Sequence, residues 1–407
     1  MDSYWDNNSG DILDIVDGSF LMDYDEAGQE FQFKSAAAIT CLTAMSAAAA
    51  SSVSVYGVID TGFGVSKGKG QAAKVQAISG GNAASRWGLK GQEDLGGGNY
   101  VKFVLEQGLK INNGEGQTSG VLFDRDSLLI IGGRWGELGL GRSGSLMGTT
   151  GYFGQFPKMS ANTMACNYLD AALIGSLVNS GMLNNSVTYQ VKPTNTLTLT
   201  AQYSNGISTD EAKWAKNNHY YGLSAQYKNK GFNLGTIFTV IDYRQSGANN
   251  GADSDPTYNL FFAVNQTFDQ TRVHFDYQHV WNSRSLGGGP NAFYAKDLGF
   301  GSTAAVKGSK KGFRSDTFVI GASTPLAGGR IFGAFKWNVG KWQGTSAKKD
   351  ADRDGNRWVA SLKYQYPLSK RTLVYALGTY ARGTGMFNKA QAKATRLLTA
   401  FGVQHNF

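Results

Sequence analysis

From residue 51 onward the chain alternates between short and long connections, and this constrains its fold more than any other feature. Segments with an apolar–polar period of two fall near 52–65, 85–94, 99–110, 121–131, 136–143, 184–191, 196–203, 219–228, 231–241, 258–268, 271–281, 313–323, 329–337, 356–366, 371–381 and 396–407. Such a period predicts half-exposed β-strands. LGGG (95–98), GGRW (132–135), KPTN (192–195), KNKG (228–231), DQ (269–270), TPLAG (324–328) and PLSK (367–370) are short and carry the residues of tight hairpin turns. The other connections, 66–84, 111–120, 144–183, 204–218, 242–257, 282–312, 338–355 and 382–395, are long and rich in Gly, Ser, Asn and Lys. Seven short and eight long connections between about sixteen strands place the turns at one rim of an antiparallel sheet and the loops at the other. An even strand number lets the sheet close, which removes the edges an open sheet this wide would expose.

The faces of these strands decide what the sheet meets. In the last segment, Leu397, Thr399, Phe401, Val403, His405 and Phe407 share one side, while Leu398, Ala400, Gly402, Gln404 and Asn406 share the other. Val53, Val55 and Ile59 share a face, and Val101, Phe103 and Leu105 oppose Tyr100, Lys102 and Glu106. Val273, Phe275, Tyr277, His279 and Trp281 oppose Arg272, His274, Asp276 and Gln278. Trp87, Trp135, Trp281, Trp337, Trp358, Tyr364, Tyr366 and Phe407 cluster near strand ends. One greasy side, one polar side and aromatic rings at the ends fit strands crossing a bilayer around a watery lumen. No run of 18 apolar residues offers a transmembrane helix. The expected fold is therefore all-β, a transmembrane antiparallel barrel.

The first 33 residues are of another kind, with nine acidic residues and no Lys or Arg. Lys34 and AAAITCLTAMSAAAA (36–50) then have the layout of a secretory signal peptide. Segment 34–50 is expected to be removed, leaving Ser51 as the mature start. An acidic leader does not belong before an export signal, so 1–33 is read as the product of an upstream start codon; the alternative is an acidic tail before a buried apolar helix. The whole chain carries a net +9, whereas residues 51–407 keep 38 basic against 21 acidic residues, a net +17. Cys41 lies in the signal-like stretch and leaves Cys166 alone, so no intramolecular disulfide is expected.

Reactive motifs are sparse. Four histidines, and neither HExxH nor GxSxG, predict no enzyme. His274 and Asp276 read as polar lumen wall. Asp350, Asp352 and Asp354 alternate before Gly355, like the first half of a calcium loop. The bidentate Glu at its twelfth position would be Ser361, so Ca²⁺ stands against a solvated acidic turn; no other cofactor is expected. Lys67, Lys69, Lys74, Lys307, Lys310, Lys311, Lys348 and Lys349 lack the interleaved aromatics of a nucleic-acid surface. They suit loops beside anionic lipopolysaccharide better.

SVSVYGVIDTG (52–62, within the first strand), SRWGLKGQEDLGGG (85–98), FDRDSLLIIGGRWGELGLGR (123–142), NNSVTY (184–189) and the closing VQHNF resemble the general trimeric porins of Gram-negative bacteria, the β-proteobacterial type above all. The resemblance implies a signal-exported outer-membrane barrel, with short periplasmic turns and long external loops. It also implies homotrimers inserted by the barrel assembly machinery, with Phe407 as the assembly signal. The third long loop, about 144–183, would fold inward and narrow the channel. Arg86, Arg125 and Arg142 match wall arginines of the family; parity independently turns Arg86 inward, while the apolar run at 128–131 leaves the other two open. The chain departs from the family at Met182 and Leu183, where an arginine is frequent. Its inward loop offers only Lys158 and the lone acid Asp170. The implied function is passive diffusion of small hydrophilic solutes with anions preferred. The rivals are a substrate-specific anion porin and an adhesion or surface-structural barrel.

Overall fold

The computed structural model describes residues 15–16, 19–20, 52–160, 181–207, 217–243, 255–286, 293–294, 310–344, 353–388 and 395–407. Sixteen antiparallel strands close into one barrel. They are β1 (Ser52–Gly68), β2 (Arg86–Gly96), β3 (Asn99–Lys110), β4 (Ser127–Gly133), β5 (Gly136–Gly144), β6 (Met182–Thr194), β7 (Leu197–Asn205) and β8 (His219–Asn229). The second half comprises β9 (Phe232–Asp242), β10 (Thr257–Phe268), β11 (Thr271–Ser283), β12 (Phe313–Leu326), β13 (Gly329–Trp342), β14 (Asp354–Pro367), β15 (Thr372–Gly383) and β16 (Arg396–Asn406). Each strand pairs with the next, and β16 returns to β1 in register from Arg396↔Gly68 to Asn406↔Val58. In hydrocarbon every backbone N–H and C=O needs a partner inside the protein, and closure supplies one along every strand.

The alternation read from the sequence places the large apolar side chains outside. Val53, Leu223, Phe401 and Ile320 are more than half exposed, and polar residues such as Thr188, Gln202, Gln278 and Lys363 are buried on the inner side. Tight turns join the strands at one rim. Lys230–Gly231 and Ala327–Gly328 both have positive φ at the two central positions, the backbone of a hairpin turn that matches strand twist. The strand ends from which the longer connections leave lie at the opposite rim.

Two local readings need correction. The fourth strand starts at Ser127 rather than 121. Phe123 has φ 56°, which breaks the extended run, and its N–H donates to Gln107 while the Asp124 carboxylate takes the Gly108 N–H. The loop expected at 66–84 contains a strand, Lys74–Ser79, folded back along the external half of β1. The chain then dips inward at 80–85 before β2 begins. Gly81, Asn82 and Ala83 N–H groups all donate to the Asp60 carboxylate, at 3.0, 2.9 and 2.7 Å, and the Tyr375 hydroxyl donates to it at 2.7 Å.

Candidate functional site

Beyond β5 the chain turns into the lumen, and residues 145–160 run along the inner wall. Phe153 packs with Val104, Leu128 and Ile130. Leu146, Met147, Phe156 and Met159 pack with Ile237, Phe261 and Ala263 on the far wall. Two wall glycines make this possible: a Cβ at Gly139 would strike the Phe153 ring, and one at Gly235 would strike the Met159 thioether. Polar contacts then fix the path. The Tyr152 hydroxyl donates to the Glu137 carboxylate, which also receives Lys102 Nζ at 2.9 Å. Burial, and then the Glu137 charge, push the Tyr152 phenol up, so it stays protonated and donates. Asn233 Nδ2 donates to the Lys158 carbonyl at 2.9 Å and Asn265 Nδ2 to that of Met159 at 3.2 Å; the Ser160 hydroxyl reaches Asp276.

This loop faces a charged wall. Arg86 on β2 and Arg125, just before β4, both pair with Glu106 of β3, Arg86 at 3.2 Å and Arg125 through Nε to the other carboxylate oxygen. The Tyr56 hydroxyl donates to the same carboxylate at 3.0 Å. Arg86 also holds the Ala84 carbonyl at 2.9 Å, tying the inward dip at 80–85 to the cluster. Arg142 on β5 donates to the Asp124 carbonyl at 2.9 Å and to the Asn184 side chain. The three arginines expected on the wall therefore lie on its inner side, two of them on a shared carboxylate. Lys158 sits half-buried in the one-turn helix Phe156–Met159 of the loop. Asp170 lies outside the described residues, as do Asp350 and Asp352. Asp354 is exposed at the start of β14, 3.7 Å from Lys341.

Sequence reasoning missed Glu106 as the partner of both arginines. The signal was present: the LGGG turn sets Gly88 opposite Glu106, so Arg86 is its diagonal neighbour on the same face. It also missed the cations on β13 and β14. Arg330 and Lys336 face inward from β13, and Arg357 and Lys363 from β14. Lys363 Nζ donates to the Asn82 side chain at 3.1 Å, so this wall also grips the dip at 80–85.

A closed barrel with an apolar outside, a polar charged inside and a loop folded across its lumen is a diffusion channel of the bacterial outer membrane. The sequence matches the Gram-negative porin family over residues 35–385, and the chain belongs to that family. It is 27% identical over 403 residues to an outer membrane porin protein of Bordetella pertussis, covering 91% of this chain and 98% of the relative. Among solved structures it is similar to the anion-selective porin from Comamonas acidovorans, at TM-score 0.63 and 20% identity, covering 88% of this chain and all of that one. It is likewise similar to OmpT of Vibrio cholerae in its trimer form, at TM-score 0.58 and 13% identity, with 88% and 100% covered. The protein is thus an outer-membrane porin, a passive water-filled channel for small hydrophilic solutes and not an enzyme.

Proposed function

We propose that this porin prefers anions and works as a homotrimer. The observation that carries the first part is the balance of lumen charge. Glu106 is held by Arg86 and Arg125, Glu137 by Lys102, and Asp60 by three amides and a phenol. Arg142, Arg330, Lys336, Arg357 and Lys363 add positive charge to the same inner surface, against Asp276 on β11 and the buried Asp124 and Asp126 before β4, each of which accepts a backbone N–H. Cationic side chains in a narrow aqueous pore favour anions. The similarity to a porin described as anion-selective agrees with this reading. Arg86, Arg125, Arg142 and Lys158, with Asp170, are proposed as the constriction residues.

The trimer rests on the trimeric form of a similar barrel and on the outer surface itself. Val53, Val55, Ile59, Phe63, Leu129, Ile131, Leu140, Leu397 and Phe401 make the outer faces of β16, β1, β4 and β5 broadly apolar, a surface suited to packing against another copy. The decisive experiment is the zero-current potential of the reconstituted channel across a KCl gradient. Chloride is expected to permeate better than potassium. Preference for potassium would overturn the selectivity assignment.

A further inference from the structure

The segment 80–85 is hung on a single residue of β1. The Asp60 carbonyl accepts the Gly80 N–H at 2.9 Å and the Ser85 hydroxyl at 2.9 Å, and the Ser85 oxygen accepts the Asp60 N–H at 3.0 Å. The three amides between these two ends, those of Gly81, Asn82 and Ala83, all point at the Asp60 carboxylate. Successive backbone N–H groups turned to one side make a concavity that holds an anion. Gly80, at φ 74°, makes the turn that brings them round.

From this anchor the segment reaches along the inner wall. The Asn82 side-chain oxygen accepts Lys363 Nζ at 3.1 Å and Gln365 Nε2 at 2.8 Å from β14, and its amide nitrogen donates to Gln404 Oε1 of β16 at 2.6 Å. Ile78, just ahead of the segment, joins Leu373, Tyr375 and Leu377 of β15 and Leu398 and Ala400 of β16 in one apolar cluster. Lys363 and Gln365 lie toward the turn end of β14, so the segment descends inside the barrel rather than resting on its rim. At its far end the Ala84 carbonyl accepts Arg86 Nη1 at 2.9 Å, while Arg86 Nε pairs with Glu106. Residues 145–160 lie along the wall from β3 to β11, and 80–85 along β14, β16 and β1, so the two flank the lumen from different sides.

We propose that residues 80–85 form a second constriction element of this channel, with Asp60 as the positioning residue that sets the bore and aims Arg86 into it. The proposal rests on the anion-preferring reading of the lumen only for the direction in which selectivity moves. Asp60 is fully buried and acts through the segment it holds. Its charge and its anchoring have opposite consequences, which makes the role testable. As charge alone, a carboxylate lost from the wall favours anions and leaves the bore as it is. As an anchor, Asp60 replaced by asparagine leaves three amides facing a side chain with one acceptor oxygen and an NH₂ that is itself a donor. The segment then loosens, the bore widens, and Arg86 loses the carbonyl that fixes it.

The test uses the porin purified from outer membranes and recorded in planar bilayers. In D60N single-channel conductance should rise by roughly half or more, since flow through an aqueous constriction follows its open cross-section, and the chloride preference should fall. Unchanged conductance, or any change accompanied by a stronger chloride preference, would overturn the proposal. A second measurement does not depend on D60N folding. Ala84 is partly exposed inside the barrel, while Gly80–Ala83 and Ser85 are buried. The variant A84C is made together with C166S, so that its thiol is the only one beyond the signal-like stretch. A bulky uncharged thiol reagent is added while a single channel is recorded. Conductance should drop on labelling of A84C/C166S and stay level with C166S alone. Undiminished conductance of the labelled channel would overturn the proposal. A wild type that prefers potassium would instead count against the anion reading, because neither conductance change depends on the sign of the preferred ion.

Discussion

At the residue scale, the carboxylate of Glu106 decides how much of the wall charge reaches the pore. Two guanidiniums and a phenol converge on it, so its removal takes away the carboxylate that Arg86 and Arg125 share. The variant Glu106→Gln should therefore become more anion-selective. A unit charge about 8 Å away in water is worth ~0.5 kcal/mol, so the chloride-to-potassium permeability ratio should rise roughly 2- to 5-fold. Reversal potentials in asymmetric KCl check this, and an unchanged ratio would mean the cluster does not border the ion path. Replacing Arg86 and Arg125 together by glutamine should move selectivity the other way. Lys310 and Lys311 stand at the external rim, beyond the ~8 Å over which charge acts at physiological salt. Their replacement should leave the ratio nearly unchanged.

At the element scale, the inward loop is held against the wall by missing side chains as much as by contacts. A valine at Gly235 would occupy the seat of Met159 and push the one-turn helix toward the lumen. The variant Gly235→Val should cost about 1–3 kcal/mol, the usual penalty for overpacking, and lower single-channel conductance. Conductance equal to the wild type would show that the loop does not limit flow. The sixteen strands were legible because lipid on one side and water on the other impose a period of two along every one of them. The loop's route was not, since it depends on glycines and amides drawn from β5 to β11. The fourth strand was read too long because Val121 and Leu122 continue its apolar run, yet they are exposed and lie ahead of the positive φ at Phe123. Arg86 could be turned inward by parity alone. The dip at 80–85 could not be foreseen, because Asp60 on β1 and Tyr375 on β15 hold it together across the barrel seam.

At the scale of the whole molecule, export and closure set the requirements. The alanine-rich end of 36–50 predicts a mature chain starting at or near Ser51. Amino-terminal sequencing of protein from outer membranes should return that residue, and recovery of Met1 would refute it. At the seam, Gly57 and Phe407 exchange backbone N–H···O bonds of 3.0 Å each way, and the Phe407 ring lies over Gly57, where a Cβ would strike it. Deleting Phe407 removes this last pair along with its ring. The deletant should yield little heat-modifiable barrel in outer-membrane fractions, whereas normal yield would deny Phe407 an assembly role.

The pairing of β16 with β1 joins strands that lie at opposite ends of the barrel sequence. Until it forms, any number of correctly paired hairpins is still a ribbon with two bare margins, and hydrocarbon tolerates neither. Folding then has no useful halfway product inside the bilayer. Local hairpins assemble cheaply, but the step that makes them a membrane protein is the most distant contact in the chain and so the slowest to find. The seam consequently works as a census: a chain that has lost, slipped or truncated a strand arrives with margins that do not match, and is left open to degradation.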